Sequence, residues 1–219
     1  LQDRRRMLIH AAMAASMYAS VIAGASRAGS VLVTGEVLVI FFLCLRRDRS
    51  AARPRLLALG VMAGFALLFT AVVGWDTLWK RFLQQDPYAV RREFVQSSLG
   101  MVRDRPAMGF GLGTWSTAYP GYAFYDKGFF ANQAHNDWAQ WAVEGGLPFF
   151  LLMLWIALRS LRPAFRSLWG LGVPCVFLHS LVDYPVERPA LAGFFFVFLA
   201  VLETARRAQR NEKERPLRR

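Results

Sequence analysis

Cysteine, histidine and acidic residues are all scarce in this sequence. Its 219 residues include 2 cysteines and 3 histidines, and its 15 aspartates and glutamates face 27 lysines and arginines. Cys44 and Cys175 lie singly within apolar runs, with no Cys-x-x-Cys or Cys/His spacing, so neither a disulfide framework nor a zinc site is implied. We therefore look for function among the few titratable residues that the chain does contain.

Apolar residues are abundant and unevenly distributed. The chain is 55% hydrophobic and its mean hydropathy is +0.26, which is typical of an integral membrane protein rather than a soluble domain. Several apolar runs approach the ~20 residues that a helix needs to cross a bilayer. We predict an all-α, polytopic transmembrane helical bundle of about six spans, at roughly 7–25, 29–45, 56–75, 138–158, 167–182 and 189–203.

The basic residues predict the orientation of this bundle. Most lie in "LQDRRR", in the segments 46–55 and 159–166, and in the tail after Glu203. By the positive-inside rule these pieces are cytoplasmic, as are both termini of the multi-pass chain. This scattering between apolar runs argues against a nucleic-acid-binding face, although the net charge is +12.

The apolar runs divide the chain into four parts: three spans in 1–75, a long outward loop in 76–137, three further spans in 138–205 and a basic tail in 206–219. In the loop, helical composition is interrupted at Pro87 and stops before Pro106, so short helices are expected there. Because the first residue is Leu1 and no cleavage signal follows it, we expect the chain to be the C-terminal part of a longer one.

Tryptophans flank the long loop at the predicted outer ends of the spans, where they are expected to anchor at the headgroup level: Trp75, Trp79, Trp138 and Trp141. Within the loop, the glycine-rich "GFGLGTW" (109–115) lacks the Lys-Ser/Thr ending of a nucleotide-binding P-loop. Its expected role is a tight turn that packs the loop against the spans.

Three outward positions carry groups suited to chemistry. Arg27 lies in the turn between the first two spans, Arg91 and Arg92 lie in the loop helix, and His135 with Asn136 precedes the fourth span. Solvated or snorkelling side chains are the ordinary explanation for each position taken alone. Together they offer two guanidinium sites for phosphate oxygens and one group that accepts a proton near neutral pH. That combination fits a reaction in which a pyrophosphate leaves and a hydroxyl attacks.

Four segments resemble the O-antigen ligase-like family, which shares the Wzy-type C-terminal domain with bacterial polysaccharide polymerases. They are "SRAG" (26–29), "RREFVQSSLGMVRDRPAMGFGLGTW" (91–115), "AHNDWAQWAVEGGLPFF" (134–150) and "HSLVDYPVERPAL" (179–191). The His-Asn pair followed by Glu-Gly-Gly is the most specific element. The sequence has Gln96 where the family often has tryptophan, a departure that affects the register between Arg91 and Arg92.

The resemblance implies a multi-pass glycosyltransferase of a bacterial inner membrane. Because its leaving group is already activated, no nucleotide cofactor is expected, and because the loop carries no Asp-rich motif, no metal is expected. Its donor would be a glycan on undecaprenyl pyrophosphate, and its acceptor a hydroxyl of lipid A-core or of another glycan chain. It implies that Arg27 and Arg92 contact the pyrophosphate, with Arg91 as the adjacent alternative, and that His135 is the base at a periplasmic active site. Attack opposite the leaving group would invert the anomeric centre.

Other polar residues near the predicted outer surface are supporting candidates. Glu144 is too far along the helix to hydrogen bond with His135 directly and could mark the membrane boundary. His179 and Asp183, four residues apart, could form a hydrogen-bonded pair. Glu36 lies in the middle of a span, where hydrogen bonding between helices is its expected role.

A different class of protein remains open at this stage. A non-catalytic transporter or assembly partner for lipid-linked glycans would use Arg27 and Arg92 only for binding. Such a protein would need no proton acceptor, so His135 discriminates between the two hypotheses.

Overall fold

The computed structural model describes residues 2–24, 26–47, scattered positions between 60 and 83, and residues 88–125 and 128–214. Every regular element within these ranges is helical, as predicted. The third predicted span, 56–75, lies largely outside the described residues. The chain divides into two compact units, Leu1–Asp86 and Pro87–Arg219, and each is described by itself.

The first unit contains an antiparallel helix pair. Helix α1 spans Gln2–Ala23 and α2 spans Arg27–Arg47. Midway along the pair, the Tyr18 hydroxyl lies 3.0 Å from the Thr34 hydroxyl, and the small Ala15 and Ala19 are fully buried. The outer faces carry exposed apolar side chains that suit a lipid environment: Met13, Met17, Val31, Leu38, Val39 and Phe42.

The second unit is built from five α-helices. These are α3 (Ala89–Asp104), α4 (Trp115–Ala118), α5 (Asp137–Ala164), α6 (Gly172–His179) and α7 (Pro189–Glu214), with 3₁₀ turns at Tyr119–Gly121 and Trp169–Leu171. The start of α3 after Pro87 and its end before Pro106 confirm the helix predicted within the long loop.

Two hydrophobic cores hold the second unit together. One core packs α5 against α6 and α7 through Met153, Phe177 and Phe195, and Trp141 is buried in it. The other packs α3 and α4 against the start of α5 through Phe94 and Trp115. The prediction that Trp141 anchors at the headgroup level is therefore wrong, because its ring is only 3% exposed.

Two helices in the described part of the chain are long and apolar enough to cross a membrane: Asp137–Ala164 and Pro189–Ala208. They match the fourth and sixth predicted spans. The fifth, predicted over 167–182, forms only a shorter apolar helix over Trp169–His179. Eleven helical residues extend roughly 16 Å, about half the thickness of a hydrocarbon core.

Helix α5 is broken in its N-terminal half. Gly146 has φ +67° and ψ −172°, and Pro148 has no amide hydrogen to donate to the carbonyl of Glu144. The glycine-rich loop replaces the missing partners. The amides of Phe110 and Gly111 donate to the carbonyls of Val143 and Glu144, both at 2.9 Å, and the Leu147 amide donates to Pro106 at 2.8 Å.

These hydrogen bonds confirm that the glycine-rich segment is a tight turn packed against a span. Gly109 has φ +63°, and a Cβ there would lie 2.4 Å from the Val143 carbonyl oxygen. Only glycine combines this backbone conformation with so close an approach. Backbone packing thus explains the glycine pattern of this loop.

Two glycine substitutions separate backbone strain from close packing. Gly113 has φ +74°, similar to Gly109, but a Cβ there meets nothing within 4 Å. We expect Gly113→Ala to lower the free energy of unfolding by roughly 1–2 kcal/mol, the cost of a left-handed alanine. Gly109→Ala should cost roughly 3 kcal/mol or more, because it also forces the loop away from α5.

Thermal unfolding of the two variants in the same detergent measures this difference. Equal melting temperatures for Gly109→Ala and Gly113→Ala would contradict the proposed packing of the loop on the helix break.

Candidate functional site

His135 has an unusual backbone conformation. Its φ is +50°, and it is the one non-glycine residue with positive φ in the described ranges. The next residue, Asn136, is extended and caps α5, since its side-chain oxygen accepts from the Ala139 amide at 3.0 Å. The left-handed residue turns the chain sharply into the helix, which leaves the imidazole outside the first helical turn. Strain of this kind, of order 1 kcal/mol, is often found at functional sites.

The His135 imidazole pairs with Asp183. Nδ1 lies 3.4 Å from Oδ1 of Asp183, and the two side chains are 35% and 29% exposed. The same carboxylate oxygen accepts from the Tyr184 amide at 3.0 Å, which fixes its orientation. The imidazole is thus held at one nitrogen while the pair stays accessible from outside.

Asp137 brings the chain segment that carries Asp183 to the start of α5. Its fully buried carboxylate accepts from the Ser180 hydroxyl at 2.7 Å and from the Val186 amide at 3.0 Å. Its own amide donates to the Ser180 carbonyl at 2.9 Å. Sequence reasoning did not identify Asp137 or Ser180. The signal was present, because a carboxylate next to the His-Asn pair in an apolar chain requires a partner.

His179 does not form the predicted hydrogen bond with Asp183. Its Nε2 is 3.8 Å from Oδ2 of Asp183, beyond hydrogen-bond range, and this buried nitrogen has no hydrogen-bond partner. His179 therefore borders the site, but Asp183 pairs with His135.

Arg91 faces this group of residues. Burial alone would raise the pKa of Asp183, but the hydrogen bond to His135, the bond from the Tyr184 amide and the charge of Arg91 hold it below its usual value. Arg91 is half-buried and its guanidinium lies over the Tyr88 ring, whereas the neighbouring Arg92 is exposed. The charge of Arg91 thus acts on Asp183.

Arg27 belongs to the first unit. Ser26 caps α2, because its hydroxyl accepts from the Gly29 amide at 3.1 Å and its carbonyl accepts from Ser30 at 2.8 Å. The cap makes Arg27 the first residue of the helix, at the turn between α1 and α2. The "SRAG" motif is thus explained locally as a helix start that holds an arginine at its end.

Glu144 is buried and supports the site from below. Its carboxylate accepts from the amides of Gly113 at 2.7 Å and Trp115 at 3.2 Å, and from the Gln140 side chain at 3.1 Å. Gln140 in turn accepts from the amide of Ala134, the residue before His135. Glu144 therefore ties the glycine-rich loop to the chain that carries His135.

Aromatic rings surround the imidazole. Phe94 stacks with His135 at a centroid distance of 6.2 Å, and Tyr184 meets it edge-on at 4.7 Å. Phe94 also contacts Tyr119 at 5.1 Å. Tyr119 lines a cavity of about 270 Å³ whose other walls include Tyr125, Phe129 and Phe130. An aromatic cavity thus lies one ring away from the imidazole.

Glu187, which lies between α6 and α7, has a shifted pKa, as Asp183 does. Burial, followed by the charges of Glu144 and Asp137, raises the pKa of Glu187 to about 7. These three carboxylates do not amount to a metal site: across the part of the chain that the structure describes, no group of three potential ligands is arranged to hold a metal ion.

Comparison with known proteins gives one match. The family model for O-antigen ligase matches residues 12–156, about two thirds of the chain. The matched region includes Arg27, Arg91, Arg92 and His135, and ends before His179 and Asp183. No curated protein and no solved structure matches.

The raised pKa of Glu187 predicts a pH-dependent stability. Its ordinary value is 4.5, so the folded state binds this proton more tightly than the unfolded state between about pH 4.5 and 7. Stability from this group is present below that window and falls as the pH rises through it. We expect Glu187→Gln to have the same melting temperature as the wild type at pH 5. At pH 8 its melting temperature should be a few degrees higher than that of the wild type. Parallel melting curves for the two proteins across this range would contradict the assignment.

Proposed function

Because this chain belongs to the O-antigen ligase family, we propose that it transfers a glycan from undecaprenyl pyrophosphate to a sugar hydroxyl, at the periplasmic face of a bacterial inner membrane. Family membership implies a membrane glycosyltransferase of the ligase or polymerase type that acts on lipid-linked glycans. The observation that carries the finer proposal is the His135–Asp183 pair, 3.4 Å apart, beside Arg91.

The ends of the two long helices support a periplasmic site. Asp137 at the start of α5 is bonded to the segment 180–186, which leads into α7. At the other ends, Arg159 of α5 lies 4.0 Å from Glu203 of α7. The two helices therefore run in the same direction, with His135 at one end and arginines at the other. Under the positive-inside rule the arginine end is cytoplasmic and the His135 end is periplasmic.

His135 has the geometry of a general base. In the tautomer whose Nδ1–H donates to Asp183, Nε2 carries a lone pair. This lone pair takes the proton of the acceptor hydroxyl. The hydroxyl oxygen then forms a bond to the anomeric carbon of the donor. The bond between that carbon and the pyrophosphate oxygen breaks, and its electron pair leaves with undecaprenyl pyrophosphate. Asp183 stabilises the imidazolium that forms.

This sequence of bonds predicts inversion, because the hydroxyl attacks opposite to the leaving group. NMR of the product linkage measures the anomeric configuration, and retention would contradict a single displacement.

Arginines are suited to stabilising the pyrophosphate as it leaves. Charge builds on the pyrophosphate oxygens as the glycosidic bond breaks, and guanidinium groups bind such oxygens with paired hydrogen bonds. We assign this role to Arg91, whose charge already acts on Asp183. For Arg27, in the first unit, the same role is carried by the family resemblance alone. The exposed Arg92 is the second choice within α3.

The first prediction on activity concerns His135. We choose His135→Asn because asparagine tolerates the left-handed backbone that alanine resists and can still reach Asp183. In the full-length protein in host membranes, this variant should lose glycan transfer by at least about 100-fold, the usual contribution of a general base. Surface glycans and lipid-linked donor are resolved by gel and mass spectrometry, at matched protein levels.

Accumulation of lipid-linked donor with no product supports the transferase. Normal transfer by His135→Asn would favour a protein that only binds or moves the glycan. Asp183→Asn provides the matched comparison: it should retain intermediate activity, because asparagine can still hold the imidazole but no longer carries the negative charge that stabilises the imidazolium. A change confined to protein abundance would assign Asp183 a purely structural role. The product that is missing, capped lipid A-core or extended chains, tells a ligase from a polymerase.

The second prediction separates the adjacent arginines. Arg91→Gln should reduce transfer roughly 10- to 100-fold, the value of one or two hydrogen bonds to a charged group, whereas Arg92→Gln should change it less than about threefold. The two variants make the same change at adjacent positions of one helix, so they control for each other. The opposite order would assign the pyrophosphate contact to Arg92 and leave the role of His135 untouched.

A further inference from the structure

Arginines gather at the ends of α5 and α7 that lie farthest from His135. Arg159, Arg162 and Arg166 of α5 and its C-terminal extension come together with Arg206, and these four residues line a cavity of about 240 Å³. The cluster is separated from His135 by roughly 35 Å of helix, at 1.5 Å per residue. It takes no part in the proposed reaction.

Among the residues that the structure describes, one carboxylate offsets this cluster. Glu203 accepts two hydrogen bonds from Arg206, at 2.6 and 2.7 Å, and one from Arg207 at 3.2 Å. Arg159 lies 4.0 Å from the same carboxylate. Within the described ranges Arg162 and Arg166 have no acidic partner, and both are exposed. Positive charge therefore exceeds negative charge at this end of the two helices.

An apolar groove runs from the cluster along the two helices. It has a volume of about 490 Å³, and its walls include Trp155 and Ile156 of α5 and Phe196 and Leu199 of α7. Arg159 and Pro163 line both this groove and the smaller cavity between the arginines. The walls are thus apolar over most of their length and cationic at one end, on two helices that are long and apolar enough to cross a membrane.

We propose that the groove and the arginine cluster form a binding site for one anionic phospholipid. Its phosphate would lie among Arg159, Arg162 and Arg166, and an acyl chain would lie along Trp155 and Phe196. The apolar walls and the arginines at one end both match this ligand. Other occupants match only half of the site. Water or a free anion would leave the apolar walls without a partner, and an apolar protein helix would leave the arginines without an anion. A zwitterionic lipid would place its own cation beside the arginines. The proposal does not depend on the glycosyltransferase activity.

The test uses the purified full-length protein and native mass spectrometry. The probes are phosphatidylglycerol and phosphatidylcholine with identical acyl chains, with inorganic phosphate as a competitor. The wild type should retain one phosphatidylglycerol per chain in preference to phosphatidylcholine. Two arginines near a membrane surface contribute about 1 kcal/mol each, which corresponds to a preference of roughly 10- to 30-fold.

Two kinds of variant separate charge from shape. Arg162→Gln/Arg166→Gln should abolish the preference for phosphatidylglycerol. The control Arg5→Gln/Arg6→Gln removes two exposed arginines of the first unit and should keep it. Ala200→Phe fills the groove that Ala200 lines and leaves every arginine in place, so it should weaken retention of phosphatidylglycerol at unchanged charge.

Three results would overturn the proposal. Equal retention of the two lipids would leave the arginines as topology determinants alone. An unchanged preference in Ala200→Phe would mean attraction to the surface without a groove. Full displacement of the lipid by inorganic phosphate would indicate a site for small anions. If the double arginine variant fails to fold, the groove variant and the phosphate competition still decide.

Discussion

The buried carboxylate of Asp137 is the contact on which the candidate site depends. It joins the first turn of α5 to the segment 180–186 through the Ser180 hydroxyl and the Val186 amide. These two stretches are more than forty residues apart in the chain. A carboxylate removed from water is stable only when hydrogen bonds replace its hydration, so the segment has few alternative positions. Asp183 lies within that segment and meets His135 as a result.

A second constraint comes from the break in α5. Two helical carbonyls lack their usual donors near Gly146, and the glycine-rich loop supplies amides from Phe110 and Gly111. In an apolar environment such carbonyls cannot remain unpaired. Glu144 strengthens the connection by accepting from Gly113 and Trp115. The loop, the broken helix and the residues before His135 therefore form one hydrogen-bonded structure.

Much of the fold could be predicted from hydropathy and helix-breaking residues. The apolar runs give α1, α2, α5 and α7, and the prolines at 87 and 106 bound α3. The length of the fifth span could not be predicted this way, because the apolar run continues through Leu181 and Val182, past the end of the helix at His179. Its end is determined by Ser180, whose hydroxyl and carbonyl bond to Asp137, and long-range pairs of this kind leave no periodic trace in a sequence.

The site was predicted by residue type but not by pairing. His135 and the arginine pair stand out as rare polar groups between apolar runs, and Asp183 is conspicuous for the same reason. Sequence spacing suggested that Asp183 pairs with His179, four residues away on a helix. In three dimensions the helix ends at His179 and the chain turns, which moves the Asp183 carboxylate toward His135. The choice between Arg91 and Arg92 likewise depends on which face α3 presents, and a one-residue difference in register is 100° of rotation.

The break in α5 also has a consequence for biosynthesis. Translation proceeds from the N-terminus, so the loop residues 106–113 are made before Val143, Glu144 and Gly146. When the broken helix leaves the ribosome and enters the membrane, the amides that complete it already exist on the preceding part of the chain. The carbonyls at the break can therefore be paired as soon as the helix enters the lipid. Reversing the order of these two segments would keep every contact of the folded protein and remove that protection.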